Sequence, residues 1–459
     1  MYLPNGQYEM TWPQTVQCAT LRAAVIPALE NSPRLRLMTL CLMYLAQGMP
    51  FGFVTGTLVT FLATKGYGVK EIAGITFMAQ LPWTFKFIWG PIIDRFDFHF
   101  LAMGRRRLWI LFAQSMMTIT LLSILLLPDP AKVMTTLLWI IAIHNIFASL
   151  QDVSVDALAV DLLPENERGK ANGFMRAAAY LGTIIGGAVM GVITARHGLH
   201  LAISLQAIIM IIVMMAPLFL REREGERLFP WNPLEKLKQT TTPAVEAATA
   251  SAGALFKSFR KAFSLPSTLL AAALALIIMV GQHTISIISK PLFIQELGWS
   301  MEVYSKWITG GGYFFALGGS LLGGLLADRF TALRTAGTAT VVLGIIWIAF
   351  SMMEQHWGNR TLAVGFIFAE QFSIGIMTVS LFSIFMSVSW PVIAGTQFTT
   401  YMALLNVSGI AGTKLAGEMG DSPDYTTIYL GAGITQIAFL LLLKKIDVGE
   451  TRRELGELG

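Results

Sequence analysis

The sequence predicts an all-α polytopic membrane protein with twelve transmembrane helices in two pseudo-symmetric six-helix bundles. Of its 459 residues, 54% are apolar and only 13% are charged, and the mean hydropathy is +0.61. Apolar runs of about 20 residues, each long enough to cross about 30 Å of hydrocarbon, recur along nearly the whole chain. These runs lack the alternation of apolar and polar residues that a membrane β-barrel requires, so a barrel is excluded.

A short motif that occurs once in each half predicts the division into two bundles. Gly90-Pro-Ile-Ile-Asp94-Arg95 ends one apolar run, and Gly324-Leu-Leu-Ala-Asp328-Arg329 ends another one 234 residues later. Pro164 and Pro391 follow the fourth and the tenth run, and proline ends a helix because it lacks a backbone N–H. Two six-helix repeats with a cleft between them suit alternating access, in which the halves rock about a central site.

The apolar runs set the order of the elements along the chain. We predict a first bundle over 37–220, with spans at about 37–64, 71–94, 107–127, 133–162, 169–195 and 199–220. We predict a second bundle over 267–445, with spans at about 267–294, 302–328, 333–353, 361–390, 395–418 and 426–445. Residues 1–36 and 446–459 are the predicted tails, and 221–266 links the bundles.

The linker ends in an amphipathic segment. Leu255, Phe259, Ala262 and Phe263 share one helical face, while the basic side chains between them point elsewhere. An apolar face bordered by Lys and Arg is typical of a helix that lies in the membrane interface. We therefore expect this segment to lie on the membrane surface.

The distribution of basic residues predicts the orientation. Of the 33 Lys and Arg residues, 23 fall in the tails, the linker and the loops on the same side, six fall on the opposite side, and four fall within spans. Basic residues accumulate on the cytoplasmic side of membrane proteins. We therefore expect both termini and the linker in the cytoplasm, with the chain in a cell inner membrane.

The repeated motif and the charges around it predict a gate at the cytoplasmic ends of the helices. A carboxylate there can meet an arginine or the positive end of a neighbouring helix and hold the halves together. We expect Asp161 to lie beside Arg168 in a mostly structural role. The predicted gate and loop residues are Gly90, Asp94, Arg95, Arg105, Arg106, Arg107, Asp161, Arg168, Gly324, Asp328 and Arg329.

The fourth span carries the densest set of acidic residues. Asp152 and Asp156 are four residues apart and share a helical face, about 13 Å and 7 Å deeper than Asp161. Lys86, eight residues before Asp94, lies at a similar depth in the second span. Charges at this depth face a cavity or a partner. Either the acids bind a proton, or one of them forms an ion pair with Lys86, and the sequence leaves both possibilities open.

Further polar residues within spans are candidates for lining a substrate cavity. His283 and Lys290 are seven residues apart on one face of the seventh span, and Glu370 has no basic residue within a turn of it. The full set of cavity candidates is Gln47, Gln151, Gln282, His283, Lys290, Glu370 and Gln371.

Several classes of function are excluded or disfavoured by the same residues. Cys18 and Cys41 are the only cysteines, and two unclustered thiols predict neither a disulfide framework nor a metal site. No P-loop, HExxH or GxSxG occurs in a credible context, so we expect no enzyme activity, no catalytic residues and no cofactor. The net charge of +5 follows from the membrane topology, so it does not indicate nucleic-acid binding.

The motifs together resemble those of a known family. The G-x-x-x-D-R turns followed by basic residues are similar to the loop motif of the major facilitator superfamily. Gln47-Gly48-Met-Pro50, Thr55-Gly56-Thr-Leu58, FKFIWGPIIDRF closing on GRRR, and QDVSVDALAVDLLPENERG resemble the muropeptide permease (AmpG) and peptide–acetyl-CoA transporter family within it. The resemblance implies that Asp152 and Asp156 are involved in proton coupling and that Lys86 corresponds to the family's lysine. The matches are concentrated in the first half.

From these observations we expect a secondary active transporter that works by alternating access and uses the proton gradient. It would import an anionic, amphiphilic solute, a cell-wall muropeptide in the first place, by proton symport, and we expect a monomer. Transport of a siderophore or of an acetyl-CoA-type solute and drug efflux are the alternatives within transport, and a membrane receptor or scaffold is the alternative outside it.

Overall fold

The chain folds into two six-helix halves, which confirms the predicted fold class. The computed structural model describes residues 28–95, 103–127, 133–163, 165–231, 252–390, 393–420 and 423–456. In the first half, α1 is Pro33–Thr64, α2 is Val69–Thr84 with its continuation Trp89–Arg95, α3 is Arg105–Ser123, α4 is Met134–Leu162, α5 begins with Glu165–Ile184 and ends with Met190–His197, and α6 is Leu199–Phe219.

The second half repeats this order. In it, α7 is Pro266–Glu296, α8 begins at Met301–Val303 and ends with Gly312–Phe330, α9 is Ala332–Met352, α10 is Arg360–Val388, α11 is Ala394–Glu418 and α12 is Tyr425–Leu443. Ten helices of the described part are long and apolar enough to cross a membrane. The other two predicted spans are α2 and α11. Helix α2 is interrupted, and α11 is less apolar and packs against α2 and α7.

The bend in α2 places Lys86. Pro82 lies inside the helix and cannot donate a backbone hydrogen bond, so the helix Val69–Thr84 ends within two residues of it. A 3₁₀ turn at Lys86–Ile88 follows, before the helix resumes at Trp89. Such a turn in the middle of a span bends the helix and turns the Lys86 side chain toward α4.

Glycines bring α1 and α5 into backbone contact. A Cβ atom added to Gly186 would overlap the carbonyl oxygen of Met49, and one added to Gly182 would overlap that of Leu45. Because lipid provides no hydrophobic driving force for helix association, helices in a membrane associate through close van der Waals contacts, and glycine allows such contacts. In the second half, Gly375 of α10 meets the Ala316 carbonyl of α8 in the same way.

The two halves touch at one side of the membrane. We call the side where α1 and α7 begin and α6 and α12 end the terminal side, and the opposite one the far side. At the far side α5 packs on α8 and α2 on α11. An ion pair joins Arg196 to Glu302, and Gln295 Nε2 donates to the carbonyl oxygens of Ala63 at 2.9 Å and Tyr67 at 2.8 Å. The space between the halves is therefore closed at the far side.

The beginning of the linker is bound to the first half. The backbone N–H of Leu29 donates to Arg221 O at 2.9 Å, and that of Glu30 donates to Glu222 O at 3.1 Å. The guanidinium of Arg107, at the start of α3, donates to backbone carbonyl oxygens in three places. The acceptors are Pro217 and Leu218 at the end of α6, Arg227 and Leu228 in the linker, and Met103 just before α3. A cation among the last carbonyls of a helix is stabilised by the helix dipole.

The amphipathic segment of the linker forms the helix Ala252–Ala262. Phe259 and Ala262 pack against Trp390 and Ile393 of the second half, so part of the apolar face is buried against protein. The position of this helix at the membrane surface stays a prediction. The predicted tail also contains structure, the short helix Glu450–Leu455, whose Thr451 Oγ1 donates to Val388 O at 2.7 Å.

Candidate functional site

A cavity of about 330 Å³ lies between the two halves, near the middle of the spans. Helices α1, α2, α5, α7 and α11 contribute its wall. The lining residues are Tyr44, Gln47, Gly48, Phe51, Gln80, Trp83, Arg176, Ala179, Thr183, His283, Leu405, Asn406 and Gly409. We call this the main cavity. Its volume is at the lower end of the range for small-molecule sites, and its wall combines aromatic rings with amides and one guanidinium, as such sites do.

Asp152 lies directly behind the wall of the main cavity. Its Oδ1 accepts a hydrogen bond from Gln47 Nε2 at 2.5 Å, and its Oδ2 forms an ion pair with Lys86 Nζ at 2.9 Å. Asp152 is only 5% exposed, whereas the Lys86 side chain is 28% exposed. Lys86 thus forms its ion pair with Asp152, and proton binding by the acids stays a prediction.

Asp156 has a different partner. Its Oδ1 accepts a hydrogen bond from the hydroxyl group of Tyr44, and no cation lies within ion-pair distance of it among the described residues. Tyr44 and Gln47 are three apart on α1, Asp156 and Asp152 are four apart on α4, and the two helices run in opposite directions. One face of each helix therefore supplies both contacts at neighbouring depths.

A second cavity of about 140 Å³ lies on the far side of the main cavity, and we call it the inner cavity. Its wall comes mainly from α7, α8 and α10 and consists of Thr55, Gly56, Gln282, Ile285, Ser286, Ser289, Lys290, Tyr304, Ile308, Thr309, Tyr313, Ile367, Glu370, Gln371 and Ile374. The two cavities are neighbours along α7, where Gln282 lines the inner cavity and His283 lines the main cavity.

The inner cavity holds two buried ionisable side chains, one with an amino group and one with a carboxyl group. Lys290 is 5% exposed, and its ammonium donates to the carbonyl oxygen of Ser286, one turn earlier in α7. Glu370 is 7% exposed, and its Oε1 accepts from Trp347 Nε1 at 2.7 Å. In the described part of the chain, neither group has an oppositely charged side chain within ion-pair distance.

Most of the predicted cavity residues come together in these two cavities. Gln47 and His283 line the main cavity, and Gln282, Lys290, Glu370 and Gln371 line the inner one. Gln151 lines neither: its side chain is fully buried, and its carboxamide has no hydrogen-bond partner among the described residues. Since Gln151 precedes Asp152 in α4, it points about 100° away from it around the helix.

The predicted gate is only partly described. The side chains of Asp94, Arg95, Arg105, Arg168 and Asp328 lie outside the described residues. Asp161 accepts from Arg106 Nε at 3.0 Å, so its described partner is on α3, while the predicted contact with Arg168 lies outside the described residues. Gly90 and Gly324 lie within helices, and Arg329 is exposed beside the ring of Phe330 at 5.4 Å. Arg107 holds the end of α6 instead of facing the other half.

Several wall residues were not predicted from the sequence. These residues are Tyr44, Gln80, Trp83, Arg176 and Asn406. Gln80 is notable because it bridges the halves, with Nε2 at 3.2 Å from His283 Nδ1 and Oε1 accepting from Thr413 Oγ1 at 3.4 Å. A polar side chain in the middle of an apolar span was the available signal.

The described residues include no group of three or more His, Cys, Asp or Glu side chains that could hold a metal ion.

Comparisons with known proteins place the chain in a family. The profile of the Major Facilitator Superfamily matches residues 38–413. The anhydromuropeptide permease of Escherichia coli (strain K12) is 24% identical over 413 residues, which cover 87% of this chain and 77% of that protein.

Two solved structures share the fold. The crystal structure of the D-xylose-proton symporter superposes with a TM-score of 0.69 at 14% identity, over 90% of this chain and 98% of that one. A bacterial homologue of the human lysosomal transporter Spinster, in an inward-facing and unoccupied conformation, has a TM-score of 0.63 at 14% identity, over 92% of this chain and 97% of that one. The family match covers most of the chain and the fold agrees with it, so this protein belongs to the major facilitator superfamily and is a multi-pass membrane transporter related to the anhydromuropeptide permease.

Proposed function

We propose that this transporter imports a muropeptide-like solute, an anhydro-sugar carrying a peptide, together with protons across a bacterial inner membrane. The observation that carries the proposal is the connection between the main cavity and two buried acids: Gln47 and Tyr44 form part of the cavity wall and donate hydrogen bonds to Asp152 and Asp156. In this proposal the terminal side is the cytoplasmic one, as the excess of basic residues there favours.

The connection supports a mechanism of coupling. A solute that takes the Gln47 amide or the Tyr44 hydroxyl as its own hydrogen-bond donor removes that donor from a buried carboxylate. Losing a donor disfavours the charged form of a carboxylate and so favours proton uptake. Asp156 can take up a proton without breaking an ion pair, whereas Asp152 must first release Lys86. We therefore assign the transported proton to Asp156 and a positioning role to the Lys86–Asp152 pair.

The wall of the main cavity supports a sugar-bearing solute. Aromatic rings such as Trp83 and Phe51 offer flat apolar surface to the C–H face of a sugar ring, and the amides of Gln80 and Asn406 suit its hydroxyl and acetamido groups. Arg176 adds a fixed positive charge, which suits an anionic solute. The relationship to a protein named anhydromuropeptide permease agrees with this choice.

The closed far side supports alternating access. Contacts between α5 and α8 and between α2 and α11 seal that side, and the main cavity is lined by residues from the middle and the terminal halves of α1, α2 and α5. With the terminal side in the cytoplasm, this conformation faces inward. A carrier that imports its solute passes through such a state when it releases the solute.

Uptake by reconstituted protein tests the proposal. Proteoliposomes with an imposed pH gradient, acid outside, would receive an anhydromuropeptide, a ferric siderophore or acetyl-CoA. We expect concentrative uptake of the anhydromuropeptide that collapses with a protonophore. Uptake of one of the other two solutes alone would overturn the choice of substrate, and binding of a solute without any counterflow would favour a receptor over a transporter.

The assignment of the proton is tested by Asp156→Asn. Asparagine mimics the protonated acid, so we expect the variant to lose gradient-driven accumulation while it retains counterflow, which needs no net proton movement. Asp424→Asn is the matched control, because Asp424 is exposed, lines neither cavity, and caps α12, where asparagine serves as well as aspartate. Retention of gradient-driven accumulation by Asp156→Asn would refute the assignment.

A further inference from the structure

We propose that the inner cavity binds a zwitterionic end group of the solute, with Lys290 holding a carboxylate and Glu370 holding an ammonium group. This inference rests on the proposed transport of a peptide-bearing solute and specifies which part of it the second half recognises. The observation behind it is that a buried lysine and a buried glutamate line one small cavity.

Unpaired charges at this depth need an explanation. An ammonium or a carboxylate removed from water is costly unless an opposite charge compensates it, and such residues within spans face a cavity or a partner. Within the described part of the chain, Lys290 reaches only the Ser286 carbonyl and, at 3.4 Å, its hydroxyl, although an ammonium has three donors. Glu370 receives one neutral hydrogen bond from Trp347. Both groups can therefore accept a further, charged partner.

The wall around the two charges is polar enough to hold such a partner. Gln282, Ser289, Tyr304 and Gln371 line the same space and supply hydroxyl and amide groups. The main cavity, by contrast, is lined by aromatic rings and by amide groups, and it begins where His283 follows Gln282 in α7. The apolar and the charged parts of one elongated solute would thus occupy neighbouring cavities.

A zwitterion fits better than a single charge. A solute carboxylate alone would compensate Lys290 and leave Glu370 uncompensated, and a solute ammonium alone would do the reverse. An amino-acid centre carries both charges a few bonds apart and adds no net charge to the site. The volume of about 140 Å³ lies below the range of complete small-molecule sites, so it suits an end group and not a whole solute.

The experiment pairs charge-neutralised ligands with charge-neutralised variants. The parent ligand is an anhydromuropeptide whose peptide ends in a diamino acid with a free amine and a free carboxylate. One analogue carries an acetylated amine, and the other carries an amide in place of that carboxylate. A second series uses the same peptide without the sugar. Equilibrium binding is measured on purified, full-length protein without a proton gradient.

We expect the wild-type protein to bind the parent at least about tenfold more tightly than either analogue. Lys290→Gln should bind the parent and the amide analogue equally while it still discriminates against acetylation. Glu370→Gln should bind the parent and the acetylated analogue equally while it still discriminates against the amide, and its glutamine can still accept the bond from Trp347. Lys414→Gln, which removes an exposed lysine of α11, should behave like the wild type.

Two results would overturn the inference. If each variant weakened the binding of all three ligands by the same factor, the two residues would be structural. If the wild-type protein bound the parent and both analogues equally, the inner cavity would not recognise the end group, although import of the anhydromuropeptide would stand. If no sugar-bearing ligand were bound or imported, the proposed substrate would be wrong, and the sugar-free series would still decide the inference in the same way.

Discussion

The ion pair with Lys86 stabilises the buried carboxylate of Asp152 in α4. Asp152 is nearly inaccessible and depends on Lys86 and Gln47 for its partners. Because removing one member of a buried ion pair leaves the other uncompensated, such changes cost about 3–5 kcal/mol. The partial exposure of Lys86 allows some hydration of the pair, so we place the cost at or below the lower end of that range.

Lys86→Gln should therefore lower the thermal stability of the purified protein and abolish gradient-driven uptake. The double variant Lys86→Gln/Asp152→Asn should recover much of the lost stability, since it removes both charges, but no gradient-driven uptake. Scanning calorimetry in detergent and proteoliposome uptake measure the two effects. Equal stability of the single and double variants would show that the pair is not the source of the loss.

Glu222 gives the terminal side a pH-dependent stability. Its carboxyl group is buried beneath the start of α3 and accepts the backbone N–H of Arg107. Burial, and next to it the carboxylate of Glu226, raise the pKa of Glu222 from its usual value of 4.5 to about 8. The folded protein thus holds a proton between about pH 4.5 and 8 that the unfolded chain has released, so the free energy of unfolding falls as the pH rises through this window.

We expect the melting temperature to fall between pH 5 and 8 and Glu222→Gln to remove part of this fall, because glutamine resembles the neutral acid. Melting curves at several pH values test this, with Glu224→Gln as the control from the same segment, where the side chain is exposed. The same pH dependence in Glu222→Gln and in the wild type would assign the effect to other groups.

At the scale of helices, the contact between α1 and α5 depends on glycine. Any side chain at Gly186 meets the backbone of α1 at Met49, which cannot move aside as a flexible side chain would. Gly186→Ala should therefore push the helices apart and lower the melting temperature by several degrees. Gly365→Ala in α10, where an added Cβ meets no atom within 4 Å, should be neutral or slightly stabilising, since alanine is the better helix former. A neutral Gly186→Ala would mean that α1 and α5 have room to separate.

The helices themselves were predictable because lipid imposes a simple requirement. A segment that spans the membrane must be apolar over about 20 residues and must satisfy its own backbone hydrogen bonds. The order of α1 to α12, the repeat of the two halves and the linker follow from this. The bend at Lys86–Ile88 and the packing of Phe259 on Trp390 do not, because both depend on neighbours that the hydropathy pattern does not contain.

Side-chain partners across helices were predictable only in part. The depths of Lys86 and Asp152 indicated a possible pair, because depth can be counted along a helix. The rotation of α1 about its axis cannot be counted in this way, so Tyr44 was missed as the partner of Asp156. The rotation of α4 cannot be counted either, so Gln151 was predicted to face the cavity, whereas it lies buried away from it.

At the scale of the whole molecule, the far side is the part of the structure that must open for import. The ion pair between Arg196 and Glu302 is exposed, and exposed pairs contribute little to stability. Closure therefore depends on the fit between helices, as at Gly191, where an added Cβ would overlap Ser305. Separation of α5 from α8 and of α2 from α11 would expose the inner cavity, with Lys290 and Glu370, to the far side first.

A disulfide between α2 and α11 tests whether this separation is required. An added Cβ at Gly417 would lie 3.0 Å from the Cβ of Ala73, close to the separation of about 3.5–4.5 Å that a disulfide needs. In a background without Cys18 and Cys41, Ala73→Cys/Gly417→Cys should form the bond on oxidation and lose uptake in proteoliposomes. Each single variant should transport in both redox states, and a reductant should restore the double variant. Because the bond joins the halves only at the far side, the oxidised protein should still bind the transported solute from the terminal side. Uptake at the wild-type rate by fully cross-linked protein would show that the solute reaches the cavities without separation of the halves at this contact.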